Sequence, residues 1–337
     1  QAVSADHRAT LGHMIAERPD LKPYAGEELT VIAWLWARTV KSPSPAFSHV
    51  DVPLARSFVL SRKKGKEAWV EPVIKDGNYQ FEVHSGQMPQ DAVDGTVVRT
   101  GGTCILSQAA MPFSYIRAEG KAGKLNERLM AIVAEGKRGR VYLSPTRAMI
   151  NIAETAKPEW KPEHALPINP RDFKTPNYGM SSFGDLFTPR QLVALTAFSD
   201  LVQEARDKVI VDSIATGMPD DGVSIEAGGR GATAYGDALA ILLVFAIDKM
   251  VDLSNSLCGW EPIAQCPRHL FGKQAIPMIW DFAEANVFSN SSGAFLTFID
   301  GISKAFSKTF SETNSSSKGS AVQADAASQS ISLNKVI

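Results

Sequence analysis

Residues 30–40 read TVIAWLWARTV, a run that is rich in β-branched and aromatic side chains. Such side chains pack well on an extended, pleated backbone, so the run predicts a strand. Pro43 and Pro45 interrupt it, and shorter strand-like stretches follow. We therefore expect residues 30–112 to form a small β-rich module, preceded by a helical lead-in over residues 1–29.

A hairpin is predicted inside this module. Residues 68–74 and 78–83 both have strand composition, and a short turn that contains Asp76-Gly77 separates them. An Asp-Gly pair favours the left-handed backbone that tight hairpin turns need. Residues 57–60 predict one more strand.

Residues 113–310 are predicted to be mainly helical. Between Gly123 and Glu135 the apolar positions Leu125, Leu129, Ile132 and Val133 follow helical spacing, which indicates an amphipathic helix. A short strand is expected at residues 140–143. Residues 235–253 are largely apolar, so we expect a helix in a central position there. A last amphipathic helix is expected from Phe295 to Phe310.

The clearest local signal is a helix start at Thr188-Pro189-Arg190-Gln191. A threonine hydroxyl can cap the first turn, proline suits the first helical position, and a glutamine three residues after the cap can reach back to it. The predicted buried stripe of this helix is Leu192, Leu195, Val202, Ala205 and Val209.

The last part of the chain is predicted to be a linker followed by strands. Residues 311–320 are rich in serine, and residues 321–337 contain two strand-like runs that would begin a further sheet. The whole pattern predicts a mixed α/β fold.

Composition excludes several classes of protein. The chain has 337 residues, 44% hydrophobic and 21% charged, with a net charge of -1, which is typical of a globular protein and not of a disordered one. The apolar run at 238–247 is shorter than the roughly 20 residues that a spanning helix needs, so we expect no membrane contact. Three scattered cysteines make a disulfide framework improbable and favour the cytoplasm.

Residues 114–140 carry a local positive charge. Seven cations and three glutamates give +4; the cations are Arg117, Lys121, Lys124, Arg128, Lys137, Arg138 and Arg140, and the acids are Glu119, Glu127 and Glu135. Such a surface can neutralise DNA phosphates and release their counterions. The alternative interpretation is a solvated helix face followed by a basic turn.

Residues 280–286 interleave acids and an amide with aromatic and apolar side chains. That combination suits the stacking and hydrogen bonding of a base, which makes Trp280, Asp281, Glu284 and Asn286 candidates for contact with a target base. The alternative is a helix end whose polar residues act as caps.

Five segments together resemble the adenine-specific DNA methyltransferases that carry a zinc-ribbon insertion. In order they are AWLWARTVK at 33–41, KKGKEAWVEPVI at 63–74, SYIRAEGKAGKLNERLMAIVAEGKRGRVYLSP at 114–145, FGDLFTPRQLVALTAFSDL at 183–201 and FGKQAIPMIWDFAEANVFSNSSGAF at 271–295. The resemblance spans nearly the whole chain, although none of the segments is a catalytic signature.

The resemblance implies a Rossmann-like methyltransferase that uses S-adenosylmethionine to methylate the exocyclic amine of a flipped adenine in DNA. The family has a glycine-rich cofactor loop before these segments and an Asp-Pro-Pro-Tyr catalytic motif after them, and neither is in this sequence. The chain is therefore expected to be an internal fragment that has no catalytic residue and is inactive alone. The alternative is a catalytically dead DNA-binding remnant or interaction protein derived from such an enzyme.

The resemblance also implies one cofactor contact and the loss of a metal site. Asp325 matches the acid that binds the adenine end of the cofactor in Rossmann-like methyltransferases, while a plain turn aspartate is the alternative. Where the family has zinc-ligand cysteines, this chain has Ser42, Phe47 and Ser107, and only Cys104 is kept. One thiolate cannot build a four-ligand zinc site, so we expect a degenerate ribbon without zinc.

Overall fold

The computed structural model describes residues 8–10, 18–89, 94–272 and 274–312. The chain divides into two compact units, residues 1–300 and residues 301–337. The first unit mixes strands and helices, which confirms the mixed α/β class. The described residues of the second unit, 301–312, continue a helix that begins at Phe295.

The described residues contain the following strands: β1 (Arg8–Thr10), β2 (Glu28–Lys41), β3 (Asp51–Leu54), β4 (Val59–Ser61), β5 (Ala68–Lys75), β6 (Asn78–Ser85), β7 (Val97–Val98), β8 (Gly101–Thr103), β9 (Ala110–Pro112), β10 (Asn126–Gly136), β11 (Gly139–Leu143), β12 (Trp260–Glu261), β13 (Cys266–Pro267) and β14 (Asp281–Ala285). The α-helices are α1 (Phe113–Lys121), α2 (Arg147–Ala153), α3 (Pro189–Ala215), α4 (Ala232–Leu253) and α5 (Phe295–Glu312).

Strand β2 is the centre of the main sheet. It pairs with β1, β3, β10 and β14, each time antiparallel, and β11 continues the sheet beyond β10. Nearly every residue of β2 from Val31 to Val40 is buried, because both faces of the strand are covered. The predicted strand at 30–40 is confirmed, and its pairing with β10 and β14 joins residues 30–112 to later parts of the chain.

The predicted hairpin is also confirmed. Strands β5 and β6 pair from Ala68↔Ser85 to Lys75↔Asn78, and β4 adds a third strand to this sheet. Asp76 and Gly77 have φ values of 50° and 70°, the left-handed backbone that a two-residue turn of this kind requires. Strands β7, β8 and β9 form a second small sheet.

The amphipathic helix predicted between Gly123 and Glu135 is wrong, because β10 occupies residues 126–136. The six consecutive residues from Leu129 to Ala134 are all buried. A helix that packed one face would expose some of them, whereas a strand covered on both sides buries every one. Helical spacing of the apolar residues was therefore the wrong criterion for this continuous apolar run.

Helix α3 begins where the capping signal predicts. Thr188 Oγ1 accepts from the Gln191 amide, and the Gln191 side chain accepts from the Thr188 amide at 2.9 Å. Of the predicted stripe, only Leu192 and Leu195 are buried; the positions from Val202 onward are half-buried. The N-terminal part of α3 therefore packs on the body of the unit, and the remainder packs mainly on α4.

Helix α4 matches the predicted segment but is not central. Gly236 lies so close to Ile210 of α3 that an added Cβ would be 2.5 Å from its Cγ1. The other side of α4 exposes Ile241, Val244 and Phe245. Apolar composition therefore did not predict burial here. In the part of the chain that the structure describes, no helix is both long enough and apolar enough to cross a membrane.

The predictions for the two ends of the chain fall largely on residues outside the described ranges. In the lead-in at 1–29, residues 8–10 form a strand paired with residues 28–30, so the helical prediction is wrong there. Helix α5 ends at Glu312, two residues into the predicted serine-rich linker. Asp325 and the strands expected at 321–337 are outside the described residues.

Candidate ligand-binding cavity

A cavity of about 210 Å³ lies among β2, β10, β14, the start of α3 and the segment that contains α2. Its volume is several times the roughly 30 Å³ that one water molecule occupies in the liquid. Most lining side chains are apolar or aromatic, including Trp34, Met149 and Phe288, and a few polar groups are set among them. An apolar cavity with a small number of fixed polar groups is typical of a small-molecule site.

A partly buried ion network lies at the polar side of the cavity. The Arg190 guanidinium donates from Nε to Glu284 Oε2 at 2.9 Å and from Nη2 to Glu284 Oε1 at 2.8 Å. It also pairs with Glu127 and lies over the ring of Trp36, 3.9 Å from the ring centre. Thr188 Oγ1 donates to Glu284 Oε1 at 2.6 Å. These contacts fix the Glu284 carboxylate in one orientation.

The charges of this network are balanced by a second arginine. Burial tends to lower the pKa of Arg190, but Glu284 and Glu127 together raise it above its usual range. Burial raises the pKa of Glu127, and Arg190 opposes that rise. Burial lowers the pKa of Arg38 to about 10, against the attraction of Glu127. Both arginines therefore remain charged at neutral pH, opposite two carboxylates.

Three residues that line the cavity carry buried polar atoms without a hydrogen-bond partner in the described part of the chain. They are Trp36 Nε1, Gln191 Nε2 and Ser254 Oγ. Leaving a buried donor unpaired costs about 1–3 kcal/mol, so such groups call for an explanation. These atoms are closed off from solvent, so a ligand in the cavity would pair with one only after its side chain turned toward the ligand.

The residues predicted to contact a base separate into two pairs. Glu284 and Asn286 line the cavity, and Asn286 Nδ2 donates to Val31 O at 2.7 Å. Trp280 is instead buried, stacked on Phe113, and Asp281 borders a second cavity of about 20 Å³. The alternative of a helix end is wrong, because residues 281–285 form β14.

The seven cations predicted to bind DNA do not share one helix face. Arg117 and Lys121 belong to α1, and Lys124 follows it. Lys137, Arg138 and Arg140 lie in and after the β10–β11 turn, at the far end of an 11-residue strand. At roughly 3.3 Å per residue, the two ends of β10 are about 33 Å apart.

Arg128, the seventh cation, contacts Tyr79 through its guanidinium. Its guanidinium lies 4.1 Å from the centre of the Tyr79 ring and donates to Tyr79 O at 2.7 Å. At the turn, Lys137 pairs with Glu27, and Arg140 pairs with Glu135. At the α1 end, Lys124 has one distant partner, Glu119, at 3.7 Å. Arg117 lies over two aromatic rings, Phe113 and Tyr178.

Of the positions where the resembling family has zinc-ligand cysteines, Ser42 and Cys104 are in contact, and Phe47 lies elsewhere. Ser42 Oγ is 3.3 Å from Cys104 Sγ, and both side chains are buried. Burial raises the pKa of Cys104, but hydrogen bonds from Ser107 and Ser42 outweigh it and lower the pKa below the usual value. Phe47 packs in a different hydrophobic cluster from Cys104. Within the described ranges, no three His, Cys, Asp or Glu side chains are grouped as metal ligands.

Sequence reasoning missed most of the cavity. Arg190, Gln191 and Trp36 lie in segments that carry the resemblance, but the sequence assigns none of them a role in a site. Glu284, the partner of Arg190, lies 94 residues further along the chain, so no local pattern connects the two. An arginine at the second position of a helix, where the helix dipole disfavours a cation, was the one available signal of a buried acidic partner.

Comparison of the chain with protein-family models, with curated protein sequences and with solved structures returned no match.

Proposed function

We propose that this chain is part of an adenine-specific DNA methyltransferase that uses S-adenosylmethionine, and that this segment supports the cofactor fold and DNA binding. In this proposal the cavity beside Arg190 holds an adenine ring. Residues 30–112 are a degenerate zinc-ribbon insertion, and Asp325 is proposed to contact the adenine end of the cofactor. Catalysis requires groups that are not in this sequence.

One observation carries the proposal. The five resembling segments were selected from sequence alone, and four of them meet at a single cavity. They contribute twelve of its nineteen lining residues: Trp34, Trp36, Leu129, Arg190, Gln191, Val193, Ala194, Glu284, Ala285, Asn286, Val287 and Phe288. Segments distant in sequence that converge on one cavity support a shared site for a ligand.

The chemistry of the cavity suits an adenine ring. Aromatic and aliphatic side chains offer faces for stacking, and Trp36 and Gln191 each carry an unpaired N–H donor that a small side-chain movement would present to ring nitrogens. The Glu284 carboxylate is a fixed acceptor for an exocyclic amine. The same ring occurs in S-adenosylmethionine and in a flipped DNA adenine, so binding experiments must separate these two sources.

Calorimetric titration with adenosine, guanosine, S-adenosylmethionine and a DNA duplex with adenine opposite an abasic site tests this proposal. Gln191→Glu keeps the oxygen that accepts from Thr188 and removes the unpaired donor, so adenosine should bind at least tenfold more weakly. Gln203→Glu, on the exposed side of the same helix, is the matched control. Equal binding of guanosine, or no effect of Gln191→Glu, would overturn the adenine assignment.

For DNA binding we propose the end of α1 rather than the β10–β11 turn. Arg117, Lys121 and Lys124 project from this end with one distant carboxylate partner, whereas two of the three cations at the turn are paired with glutamates. Replacing Arg117, Lys121 and Lys124 with alanine should reduce the slope of the logarithm of the binding constant against the logarithm of the salt concentration. The slope should become less steep by about 2.7, because each phosphate contact contributes roughly 0.9.

The matched control for this DNA experiment is Lys137→Ala/Arg138→Ala/Arg140→Ala, which removes the same charge from the other end of β10 and should change the slope by less than one contact. A larger change in the control than in the α1 variant would place the DNA surface at the turn. Both variants need far-UV circular dichroism to show an unchanged fold.

A second candidate function is a DNA-binding remnant that has lost the cofactor. The observation that favours it is the buried pair of Ser42 and Cys104, where the resembling family has metal-ligand cysteines. This candidate predicts DNA binding with the salt dependence given above and no binding of S-adenosylmethionine or adenosine. The same titrations therefore discriminate between the two functions.

A further inference from the structure

One wall of the cavity consists of α2 and the residues after it. Met149, Ile152, Ala153, Thr155 and Ala156 all line the cavity. None of the α2 residues is buried, and the Ile152 side chain is 58% exposed to solvent although it borders the cavity. The opposite walls belong to β2 and β14, which lie in the main sheet. The wall that α2 forms is thus the least embedded part of the site.

The polar contacts of this wall are all local. Thr146 caps α2 by accepting from the Met149 amide at 3.3 Å, and Thr155 Oγ1 donates to Ile152 O at 2.7 Å. Among the described residues, every hydrogen bond of residues 146–156 joins two members of that same segment. Pro145 and Pro158 flank it in the sequence.

Only apolar contacts hold the segment to the rest of the unit. Met149, Ile150 and Ala153 pack against a buried cluster that includes Leu129 and Ile132. A short helix with exposed side chains and without polar links to its surroundings has a low free energy of local opening. Lids over ligand sites commonly have this character, because they must open for the ligand to enter.

We propose that residues 146–156 form a lid that opens independently of the rest of the protein and controls access to the cavity. This inference rests on the proposed function in so far as the cavity takes a ligand. The lid is tested with a thiol reagent and without adenosine. A result that refutes the lid is therefore distinct from one that refutes the binding of adenine.

The experiment places a reporter inside the cavity. Leu129→Cys introduces a thiol on the buried β10 wall, against which α2 packs, and its reaction with a maleimide is followed by peptide mass spectrometry, which separates it from the three native cysteines. Thr146→Ala, in the same background, removes the α2 cap from a residue that does not line the cavity. Buried Cys104 reports global unfolding in the same sample.

Loss of the cap should raise the labelling rate of the introduced cysteine about fivefold, the factor that corresponds to about 1 kcal/mol for a threonine cap. The Cys104 rate should not change. Thr216→Ala, which removes a hydroxyl at the end of α3, is the matched control and should leave both rates unchanged. An unchanged cavity rate in Thr146→Ala, or an equal rise at Cys104, would overturn the lid.

Discussion

Asp281 is expected to destabilise the protein at neutral pH. Burial raises the pKa of its carboxyl to about 6 from the usual 3.8, although the Arg56 amide donates to Oδ1 at 2.9 Å. The side chain borders a small cavity lined by apolar groups such as Leu35 and Phe58. The gap between the two pKa values corresponds to about 3 kcal/mol.

The sign of this effect follows from proton binding. Because the pKa is higher in the folded state, the stabilising contribution of the protonated acid is complete below pH 3.8 and is lost as the pH rises through about 6. Asp281→Asn keeps an acceptor for the Arg56 amide and cannot ionise. At pH 7.5 it should therefore stabilise the protein by up to about 3 kcal/mol, whereas at pH 4 the difference should nearly disappear.

Urea unfolding of wild type and Asp281→Asn at several pH values from 4 to 7.5 measures this difference. Asp172→Asn, at an aspartate that accepts from the Asn169 side-chain amide, controls for the loss of one charge. If Asp281→Asn lowers the stability at pH 7.5, or if the difference from wild type is the same at every pH, burial does not dominate at this carboxyl and the reasoning fails.

Three further predictions concern the ion network, metal content and catalysis. Glu284→Gln leaves Arg190 without its bidentate partner and should lower the free energy of unfolding by about 3 kcal/mol, measured by urea denaturation; a loss below about 1 kcal/mol would contradict a buried, strong pair. Purified protein should contain no stoichiometric zinc, and elemental analysis near one zinc per chain would refute this. Incubation with labelled S-adenosylmethionine and DNA should transfer no label above a control without protein.

The parts of the fold that sequence predicted are those with local causes. The hairpin turn at Asp76-Gly77 depends on the backbone preferences of two residues, and the start of α3 depends on four. Strand β2 was predicted because β-branched and aromatic residues fill it almost without interruption. In each case the determining interactions lie within a few residues, so the sequence pattern contains them.

The parts that sequence could not predict depend on distant partners. Strand β10 has helical spacing of apolar residues, and it is a strand because β2 and β11 pair with both of its edges. Helix α4 is apolar but exposes Ile241, Val244 and Phe245, since its packing on α3 covers only one side. The cavity itself depends on Arg190 meeting Glu127 and Glu284, which lie in two different strands.

The candidate site was predicted in fragments. The sequence marks Glu284 and Asn286 as base contacts, and both line the cavity, whereas Asp281 borders the second cavity and Trp280 precedes β14 and stacks on Phe113. The sequence predicts one positive surface from the seven cations of residues 114–140. In the structure, β10 contains Arg128 and separates the other six into two groups. Both errors have one physical reason: extended strands hold residues that are close in sequence at separate places in the fold.

Photolabelling with 8-azidoadenosine tests the central claim, that the cavity holds an adenine ring, most directly. Irradiation followed by peptide mass spectrometry should place the adduct on one of the segments that line the cavity, residues 31–36, 129, 149–156, 190–194, 254 or 284–288, and excess unlabelled adenosine, but not guanosine, should suppress it. Adducts confined to other segments, or adducts that adenosine does not suppress, would contradict the assignment of the cavity to adenine.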